Sequence, residues 1–478
     1  MSLKNKTLVG LVWVGFDTII LRGASFISTI LLARWLGPSE FGLIGMISVF
    51  IAIGGTIVDS GMTASIIRLK VAKEEDLTTV FYMNMGLSVL FYLLIFLVAP
   101  LISDFYRQPV LTNLLRVYSL SFVISGFSAV QLAILNSKME FKKIMQLNMP
   151  GTILGVIGGL TFGYFNYGVW SVVFMYLITQ FFQSFVLWLK SDWRPKLLFS
   201  IDSARVHFKF GYKLMLSGLL NTVFQNIYNI IIGRYYSVKE LGFFERARSL
   251  NEYPVTILNN ILGKVTYPLL SKIRDDKNKI SEVYRNIIKL SFFITCPFMF
   301  SVAAVSTPLF NLILGPEWSK AVQYFQIICL ASVFYPVHVF NLNIFKVYGR
   351  SELFLKLEII KKIIILLGVF IGFKFGVLGL VWSSVICNFL ALFVNTYYSS
   401  DLVNYSSKQQ ILDFIPTFTI SGLIFCFVKY IVSICDNLNN VLLVFGGGIL
   451  SLSLYFATNY IIKSDSLFYT YKLLKKNR

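Results

Sequence analysis

Charged side chains and the usual metal ligands are scarce in this 478-residue sequence. Charged residues make up 14% of it and hydrophobic residues 56%, with five cysteines and only two histidines. A soluble domain needs more charge to cover its surface, so the composition argues against a soluble protein. The cysteines lie in or beside apolar runs without metal-type spacing, which indicates small core residues rather than disulfides or metal ligands. We therefore expect no metal site and no cofactor.

Two further classes of function lack their signals. The phosphate-binding pattern GxxxxGK[ST] does not occur in the sequence, so ATP hydrolysis by a P-loop is not expected. The 43 basic residues outnumber the 23 acidic ones and give a net charge of +20, but the cations are spread over alternate loops rather than gathered on one basic face. This spread argues against nucleic-acid binding. It indicates membrane topology, with the inner cations close to anionic membrane lipids.

Long apolar runs recur from one end of the sequence to the other, for example over residues 87–101, 169–189 and 441–462. They are continuously apolar rather than alternating, which predicts an all-α polytopic membrane protein with about 14 transmembrane helices. Basic residues in alternate loops, among them Lys361 and Lys362, predict that both termini are cytoplasmic. The predicted span centres are Ile20, Ile53, Phe91, Ile124, Val156, Leu177, Phe224, Thr256, Phe300, Val333, Leu366, Ile386, Ile420 and Leu450.

One segment nearly repeats itself after 200 residues. Residues 34–42 read Arg-Trp-Leu-Gly-Pro-Ser-Glu-Phe-Gly and residues 234–242 read Arg-Tyr-Tyr-Ser-Val-Lys-Glu-Leu-Gly; residues 165–170 and 373–378 form a second matching pair. Because six spans, an even number, separate the copies, they predict two parallel-repeat bundles related by an axis along the membrane normal. The predicted domains are an N-terminal six-helix bundle (1–200), a second six-helix bundle (201–400), and two appended transmembrane helices with a basic cytoplasmic tail (401–478).

The first copy of the segment carries a family resemblance. Residues 33–43, Ala-Arg-Trp-Leu-Gly-Pro-Ser-Glu-Phe-Gly-Leu, resemble the first-loop signature of bacterial polysaccharide flippases. These form the polysaccharide transporter branch of the multidrug/oligosaccharidyl-lipid/polysaccharide (MOP) exporter superfamily. Other stretches resemble the subgroup that exports colanic acid and teichuronic acid, and the likeness is densest over the first 200 residues. The stretches that resemble this subgroup are residues 1–7, 59–61, 75–84, 99–102, 168–171 and 193–195.

The resemblance implies a fold, a location and a function. The fold would be the V-shaped pair of six-helix bundles of this MATE-like superfamily, as a multi-pass protein of the bacterial cytoplasmic (inner) membrane. The function would be transport, by alternating access, of an undecaprenyl-pyrophosphate-linked oligosaccharide repeat unit for a surface polysaccharide such as exopolysaccharide, capsule, O-antigen or teichuronic acid. A coupling ion, H⁺ or Na⁺, and a polysaccharide polymerase as partner are compatible with it, and a monomer is expected.

Polar side chains inside the spans are the candidate cavity residues, because they are costly in lipid and usually face the protein interior or water. Arg22 and Ser25 share one face of span one, and Asn221, Gln225 and Asn229 form the matching stripe of span seven. An aspartate of span two is matched 200 residues later by an asparagine of span eight. The predicted substrate-cavity set is Asp17, Arg22, Ser25, Asp59, Asn221, Gln225, Asn229, Arg246, Arg248, Glu252 and Asn259.

Two interpretations of this set stay open. In the functional one, Arg22 binds the diphosphate or an acidic sugar through its planar donor fork, the amides bind sugar hydroxyls, and the carboxylates of the set are the candidates for ion coupling. In the structural one, the charges neutralise one another and the amides hold helices together. The charged residues of span eight then form internal ion pairs, and we weigh that equally with substrate contact for them.

Two other functions compete with transport of a lipid-linked sugar. A membrane polymerase or lipid-dependent glycosyltransferase of the same pathway would need a large outer loop bearing carboxylates or arginines. Every predicted outer loop is short, so we do not expect an enzyme. A MATE-like drug exporter would share the fold, and the signature loops alone favour the polysaccharide branch over it.

Overall fold

The computed structural model describes residues 13, 15, 17–59, 61–69, 72–464 and 466–467, and of residues 17–19, 256–265, 267, 268, 277 and 351 the backbone only. Over these residues the chain consists of helices joined by turns and by one ten-residue segment, 191–200, and contains no strand. The helices form two compact units that divide after Gly242, inside helix α10. The three predicted domains follow the sequence repeats rather than these contacts, and they stay a prediction.

The first unit begins with a π-helical turn, Asp17–Arg22, that leads directly into the first α-helix. Helix α1 contains a kink at Gly37, whose φ of 78° and ψ of 176° suit glycine, and Pro38 follows it. Because the backbone at Gly37 is not helical, α1 consists of two helices joined at this kink, and Ile20, the first predicted span centre, lies in the π-helical turn before it. The helices are α1 (Gly23–Asp59), α2 (Met62–Arg68), α3 (Glu74–Tyr106), α4 (Val110–Tyr118), α5 (Leu120–Ser137), α6 (Phe141–Tyr164), α7 (Trp170–Lys190), α8 (Ile201–Gln225) and α9 (Ile227–Tyr235).

Helix α10 starts in the first unit and continues into the second. The second unit also contains a 3₁₀ turn, Pro316–Trp318, that leads into α13. Its helices are α10 (Val238–Lys272), α11 (Lys277–Ala304), α12 (Ser306–Ile313), α13 (Ser319–Ser332), α14 (Tyr335–Val347), α15 (Ser351–Phe373), α16 (Gly376–Val403), α17 (Ser407–Ile434) and α18 (Asn440–Ile461).

The length and composition of these helices suit a membrane. Nine helical segments of the described chain are long and apolar enough to cross a bilayer. Helices α6, α8, α10 and α15, which are long enough but carry amide or charged side chains, are not among the nine. All predicted span centres fall in helices except Val333, which lies at the break between α13 and α14. The all-α polytopic membrane fold is confirmed, whereas the count of 14 spans stays a prediction.

Two lysines lie in a helix rather than in the loop that the sequence pattern assigns to them, and the predicted topology stays a prediction. The sequence pattern assigns Lys361 and Lys362 to a cytoplasmic loop, but both lie inside α15, more than two turns after its start. Their ammonium groups pair with the carboxylate of Glu358, at 3.4 Å for Lys362. These internal ion pairs offset part of the cost of placing charge within an apolar helix, which a scan for basic loops does not foresee.

A stripe of glycines lets α6 and α7 pack closely. Gly151, Gly155 and Gly159 follow one another at intervals of four residues and face α7. A Cβ atom on Gly155 would lie 1.8 Å from the Thr179 hydroxyl oxygen, so any larger residue there would separate the helices. Such small-residue faces drive close helix packing in membranes, where the hydrophobic effect is weak.

A buried polar junction joins α8 to α2 and α3. His207 of α8 is 1% exposed, and its Nδ1 lies 2.8 Å from the Ser65 hydroxyl of α2. Its Nε2 lies 3.4 Å from Oδ1 of Asp76, in the first turn of α3. The same carboxylate accepts hydrogen bonds from the Ser203 hydroxyl at 2.7 Å and from the backbone N–H of Lys73 at 3.1 Å. Three helices thus share one hydrogen-bonded cluster.

The second unit has a comparable junction between α11 and α17. Asp413 of α17 accepts two hydrogen bonds from Arg285 of α11, at 2.7 and 3.0 Å, and pairs with Lys289 at 2.9 Å. The Tyr405 hydroxyl, in the turn before α17, donates to the same carboxylate at 2.6 Å. Burial, and then the hydrogen bond to Asp413, raise the pKa of Tyr405, so this phenol stays a donor at physiological pH.

His207→Ala is expected to destabilise the first unit by about 1 to 3 kcal/mol, because it leaves the Ser65 hydroxyl and one side of the Asp76 carboxylate without their buried partner. Thermal unfolding of the purified protein in detergent measures the effect. Arg205→Ala is the control, since its side chain is 77% exposed and lies 4.0 Å from Asp202. Equal melting temperatures for the two variants would show that the junction does not stabilise the fold.

Candidate functional site

The two copies of the repeated segment cross at their glycines. Gly42 follows the kink of α1, and Gly242 lies in the first turns of α10. A Cβ atom on Gly42 would lie 1.9 Å from the carbonyl oxygen of Val238, and one on Gly242 would lie 1.8 Å from that of Pro38. Pro38 and Val238 are themselves 200 residues apart. Each copy therefore presents the same carbonyl position to the glycine of the other, and the contact is nearly symmetric.

The repeated glutamate of the first copy connects this crossing to the second repeated motif. Oε2 of Glu40 accepts a hydrogen bond of 2.6 Å from the backbone N–H of Val169. Gly168 just before it has a φ of 57°, and a Cβ atom there would lie 2.9 Å from Glu40 Oε2. Because α7 begins at Trp170, the carboxylate sits at a helix N-terminus, where negative charge is favoured.

A polar line runs along α1 and α8, which pack against each other in opposite directions. The hydroxyls of Thr56 and Thr222 form a hydrogen bond of 3.0 Å, and Gly218, one turn earlier in α8, faces Thr56. Gly61, five residues after Thr56, contacts Leu214, eight residues before Thr222. The hydroxyl pair was not among the predicted site residues, although each threonine lies within three positions of one.

Four predicted residues of the first unit have exposed side chains, and three of them lie beside this line. They are Arg22 in the π-helical turn, Asp59 at the end of α1, and Asn221 and Gln225 in α8. Asp59 accepts a hydrogen bond of 2.6 Å from the Thr63 hydroxyl of α2. Since Asn221 and Gln225 flank Thr222, and Asp59 follows Thr56 by one turn, the fold brings the last three together along one helix pair.

Other members of the predicted set are placed differently. Ser25 is half-buried and donates its hydroxyl to the carbonyl of Leu21 at 3.1 Å, a bond within its own helix. Asn229, in α9, is 1% exposed and belongs to the packed interior of the unit. The side chains of Asp17 and Asn259 lie outside the described residues. Their membership of a cavity stays a prediction.

The charged residues of α10 form ion pairs within the second unit. The guanidinium of Arg248 lies 2.7 Å from a carboxylate oxygen of Glu252 and 3.8 Å from one of Glu245. Arg246 is 5% exposed, so its guanidinium is almost wholly buried. This geometry is the one expected from the structural interpretation of these residues, and Glu252, 57% exposed, is the member with most room for a further contact.

An asparagine that the pattern analysis did not single out lies beside these ion pairs. Asn251 of α10 is 2% exposed; its Oδ1 accepts a hydrogen bond from Ser332 and its Nδ2 lies 3.3 Å from the Cys329 sulfur, both in α13. Its position next to Glu252 was visible in the sequence. What the sequence could not supply is the partner, because Ser332 is 81 residues away.

The site offers hydrogen-bond donors and acceptors but no metal centre that we can identify. Among the residues whose side chains are described, no three histidine, cysteine, aspartate or glutamate side chains are grouped so as to hold a metal ion. The chemistry available along α1 and α8 is therefore that of hydroxyls, amides and one carboxylate, and the π-helical turn before α1 adds Arg22. Such groups can bind a polar, anionic headgroup by hydrogen bonds and charge.

The sequence also matches known proteins. Residues 31–323 match a family described as "Polysaccharide biosynthesis protein". The chain is 25% identical over 401 residues to the lipopolysaccharide biosynthesis protein WzxC of Escherichia coli (strain K12), covering 82% of each chain. It is 22% identical over 360 residues to the teichuronic acid biosynthesis protein TuaB of Bacillus subtilis (strain 168), covering 74% of this chain and 73% of that one.

Solved structures share the fold. The lipid II flippase MurJ, in an inward closed conformation, superimposes with a TM-score of 0.77 at 17% sequence identity, over 96% of this chain and 99% of that one. Multidrug transporters of the MOP superfamily share the fold as well. At this level of identity the likeness speaks for the fold alone, and it confirms the MOP-like helical membrane fold predicted from the sequence.

Gly42→Ala and Gly242→Ala are each expected to destabilise the protein by about 1 to 3 kcal/mol, because the new methyl group would meet a backbone carbonyl that cannot move aside. Gly55→Ala and Gly86→Ala are the controls. Both lie within membrane helices where a Cβ atom meets nothing within 4 Å. Melting temperatures of the four purified variants test the crossing, and it is refuted if Gly42→Ala and Gly242→Ala melt with the controls.

Proposed function

The chain belongs to the polysaccharide biosynthesis protein family, and from this premise we propose that it transports a lipid-linked oligosaccharide repeat unit across the bacterial cytoplasmic (inner) membrane. The unit would be carried on undecaprenyl pyrophosphate and would serve the synthesis of a surface polysaccharide. Transport would follow alternating access, in which the headgroup moves from the cytoplasmic to the outer leaflet. The relatives named as lipopolysaccharide and teichuronic acid biosynthesis proteins support this class of cargo.

The polar line along α1 and α8 is the observation on which the proposed mechanism rests. A lipid-linked sugar has a large, hydrated, anionic headgroup that hydrocarbon does not accept, whereas its lipid tail can stay in the bilayer. Exposed amides at Asn221 and Gln225 suit sugar hydroxyls, and the exposed guanidinium of Arg22 suits a diphosphate or an acidic sugar.

We also propose an energy source for transport and an orientation of the protein in the membrane. Coupling to H⁺ or Na⁺ would use a carboxylate, and Asp59 is favoured because it is exposed beside the polar line and already bonded to Thr63. Asp17 and Glu252 are the other carboxylates to test. The distribution of cations supports cytoplasmic termini. We further propose that the protein acts as a monomer, with a polysaccharide polymerase of the same pathway as a possible partner.

The competing functions have less support. Family and fold are those of transporters and flippases, so we do not propose a polymerase or glycosyltransferase. A drug exporter of the same superfamily would share the fold but would not need the polysaccharide family signature, which covers residues 31–323. We therefore make drug export an outcome of the experiments rather than a second proposal.

Depletion of this protein in its own host is expected to trap the lipid-linked repeat unit in the cytoplasmic leaflet and to abolish the surface polymer. Leaflet location can be measured by labelling the sugar with a membrane-impermeant reagent in spheroplasts and in inverted vesicles. Single repeat units that reached the outer leaflet and stayed unpolymerised would contradict the proposal and indicate a polymerase. An unchanged polymer with greater drug sensitivity would indicate a drug exporter.

Arg22→Ala is expected to lower the rate of flipping by roughly tenfold or more at normal membrane abundance, because it removes a charge-assisted hydrogen bond to the headgroup. Arg205→Ala, which removes another exposed arginine near the start of α8, nine residues before Leu214, is the control. Rates in inverted vesicles, normalised to protein amount, give the comparison. Full activity of Arg22→Ala would remove this residue from the proposed path.

A further inference from the structure

A small apolar crevice lies within the second unit, away from the polar line. It has a volume of about 220 Å³ and opens between helices α11, α13, α16 and α17. This volume is below the 300 to 1,000 Å³ typical of sites that enclose a whole ligand, so the crevice suits only part of a molecule, such as a stretch of lipid chain. Its lining includes Phe300, Ala303, Leu330, Trp382 and Phe425, with Lys429 at its edge.

Lys429 is the one charged side chain of this lining. Its ammonium group donates to Oε1 of Gln326 at 3.0 Å and lies 5.5 Å from the centre of the Phe425 ring. No carboxylate in the described part of the chain lies within ion-pair distance of it. Gln326 is itself held by the Ser306 hydroxyl at 2.8 Å, so its amide oxygen is fixed towards the lysine. The charge is positioned but not neutralised.

The depth of this lysine is informative. It lies five residues before α17 ends at Ile434, which is roughly 7 Å along the helix axis. By the predicted topology this is the outer end of the helix, where the positive-inside rule does not require a cation. An ammonium group near the hydrocarbon boundary, with an apolar crevice beside it, is complementary to an amphiphile with one chain and an anionic head.

We propose that this crevice binds a phosphate-bearing lipid, with a segment of its apolar chain between the aromatic side chains and its phosphate on Lys429. Gln326 holds the ammonium group in place, and the exposed ring of Trp382 lies at the mouth, where an indole suits the membrane interface. Two sources can supply this chemistry, a polyprenyl carrier lipid and a membrane phospholipid. The first rests on the proposed function, whereas the binding chemistry does not.

Binding of defined lipids to the purified full-length chain tests the proposal. Native mass spectrometry would compare a polyprenyl phosphate with the polyprenol of equal length, and phosphatidylglycerol with the matching diacylglycerol. The phosphate-bearing member of a pair is expected to bind about tenfold more tightly or better, as a charge-assisted hydrogen bond predicts. If only the polyprenyl phosphate binds more tightly than its alcohol, the carrier lipid is the source. If both phosphate-bearing lipids bind more tightly than their alcohols to the same degree, the source is a membrane phospholipid.

The variants assign the binding to this crevice. Lys429→Gln is expected to lose the preference for phosphate, and Lys429→Arg to keep it. Lys374→Gln is the matched control, because Lys374 is another exposed lysine near the predicted outer surface, 5.3 Å from the Phe370 ring, and does not line the crevice. Ala303→Leu, which fills the crevice, is expected to weaken binding of both members of a pair.

Equal binding of the phosphate and alcohol forms, or equal losses in Lys429→Gln and Lys374→Gln, would overturn the proposal. Because these measurements involve no transport, their failure is distinguishable from a failure of the proposed function. If the chain flips its cargo but does not bind phosphate-bearing lipids here, only the proposal of the crevice site fails. If it binds phosphate-bearing lipids here but flips nothing, only the proposed function fails.

Discussion

The close crossing of two backbones at Gly42 and Gly242 is the contact that holds the two copies of the repeated segment together in the first unit. Neither glycine has room for a Cβ atom, because a carbonyl oxygen of the other copy occupies that space. Dispersion and weak C–H···O contacts act only at such short range, so the crossing depends on the missing side chains. Glu40, two residues before Gly42, then links the crossing to the start of α7.

The two copies make the same bend by different means. In the first, Gly37 adopts a positive φ that interrupts the helix, and Pro38 begins the next helical segment of α1. In the second, α9 ends at Tyr235 and α10 begins at Val238, with the Ser237 hydroxyl accepting from the backbone N–H of Glu240 at 3.2 Å. A glycine kink and a capped helix start thus give the same carbonyl position. This explains how the residues at the bend could diverge while the glycine four positions later recurs.

Sequence reasoning reached the fold class and the equivalence of the two copies, but not their contact. The repeat shows that Gly42 and Gly242 are equivalent positions. Only the fold shows that each glycine packs against the backbone of the other copy. The glycine stripe of α6 was readable from its four-residue spacing, and the prediction omitted it. The bonds of His207 could not be foreseen, since its partners lie more than 130 residues away on two other helices. Long-range pairing of polar side chains carries no periodic signal.

The same limit applies to the candidate site, with a physical consequence for transport. The predicted stripe identified Asn221 and Gln225, while the hydroxyl bond between Thr56 and Thr222 that holds their helix to α1 was found only in the structure. The hydroxyls of Thr56 and Thr222 are hydrogen-bonded to each other, so they are less available to water or to a sugar. The amides of Asn221 and Gln225 are exposed on either side of Thr222. Exposed amides and a shared hydroxyl bond at neighbouring positions of α8 are therefore the arrangement on which the proposed contact with sugar hydroxyls rests.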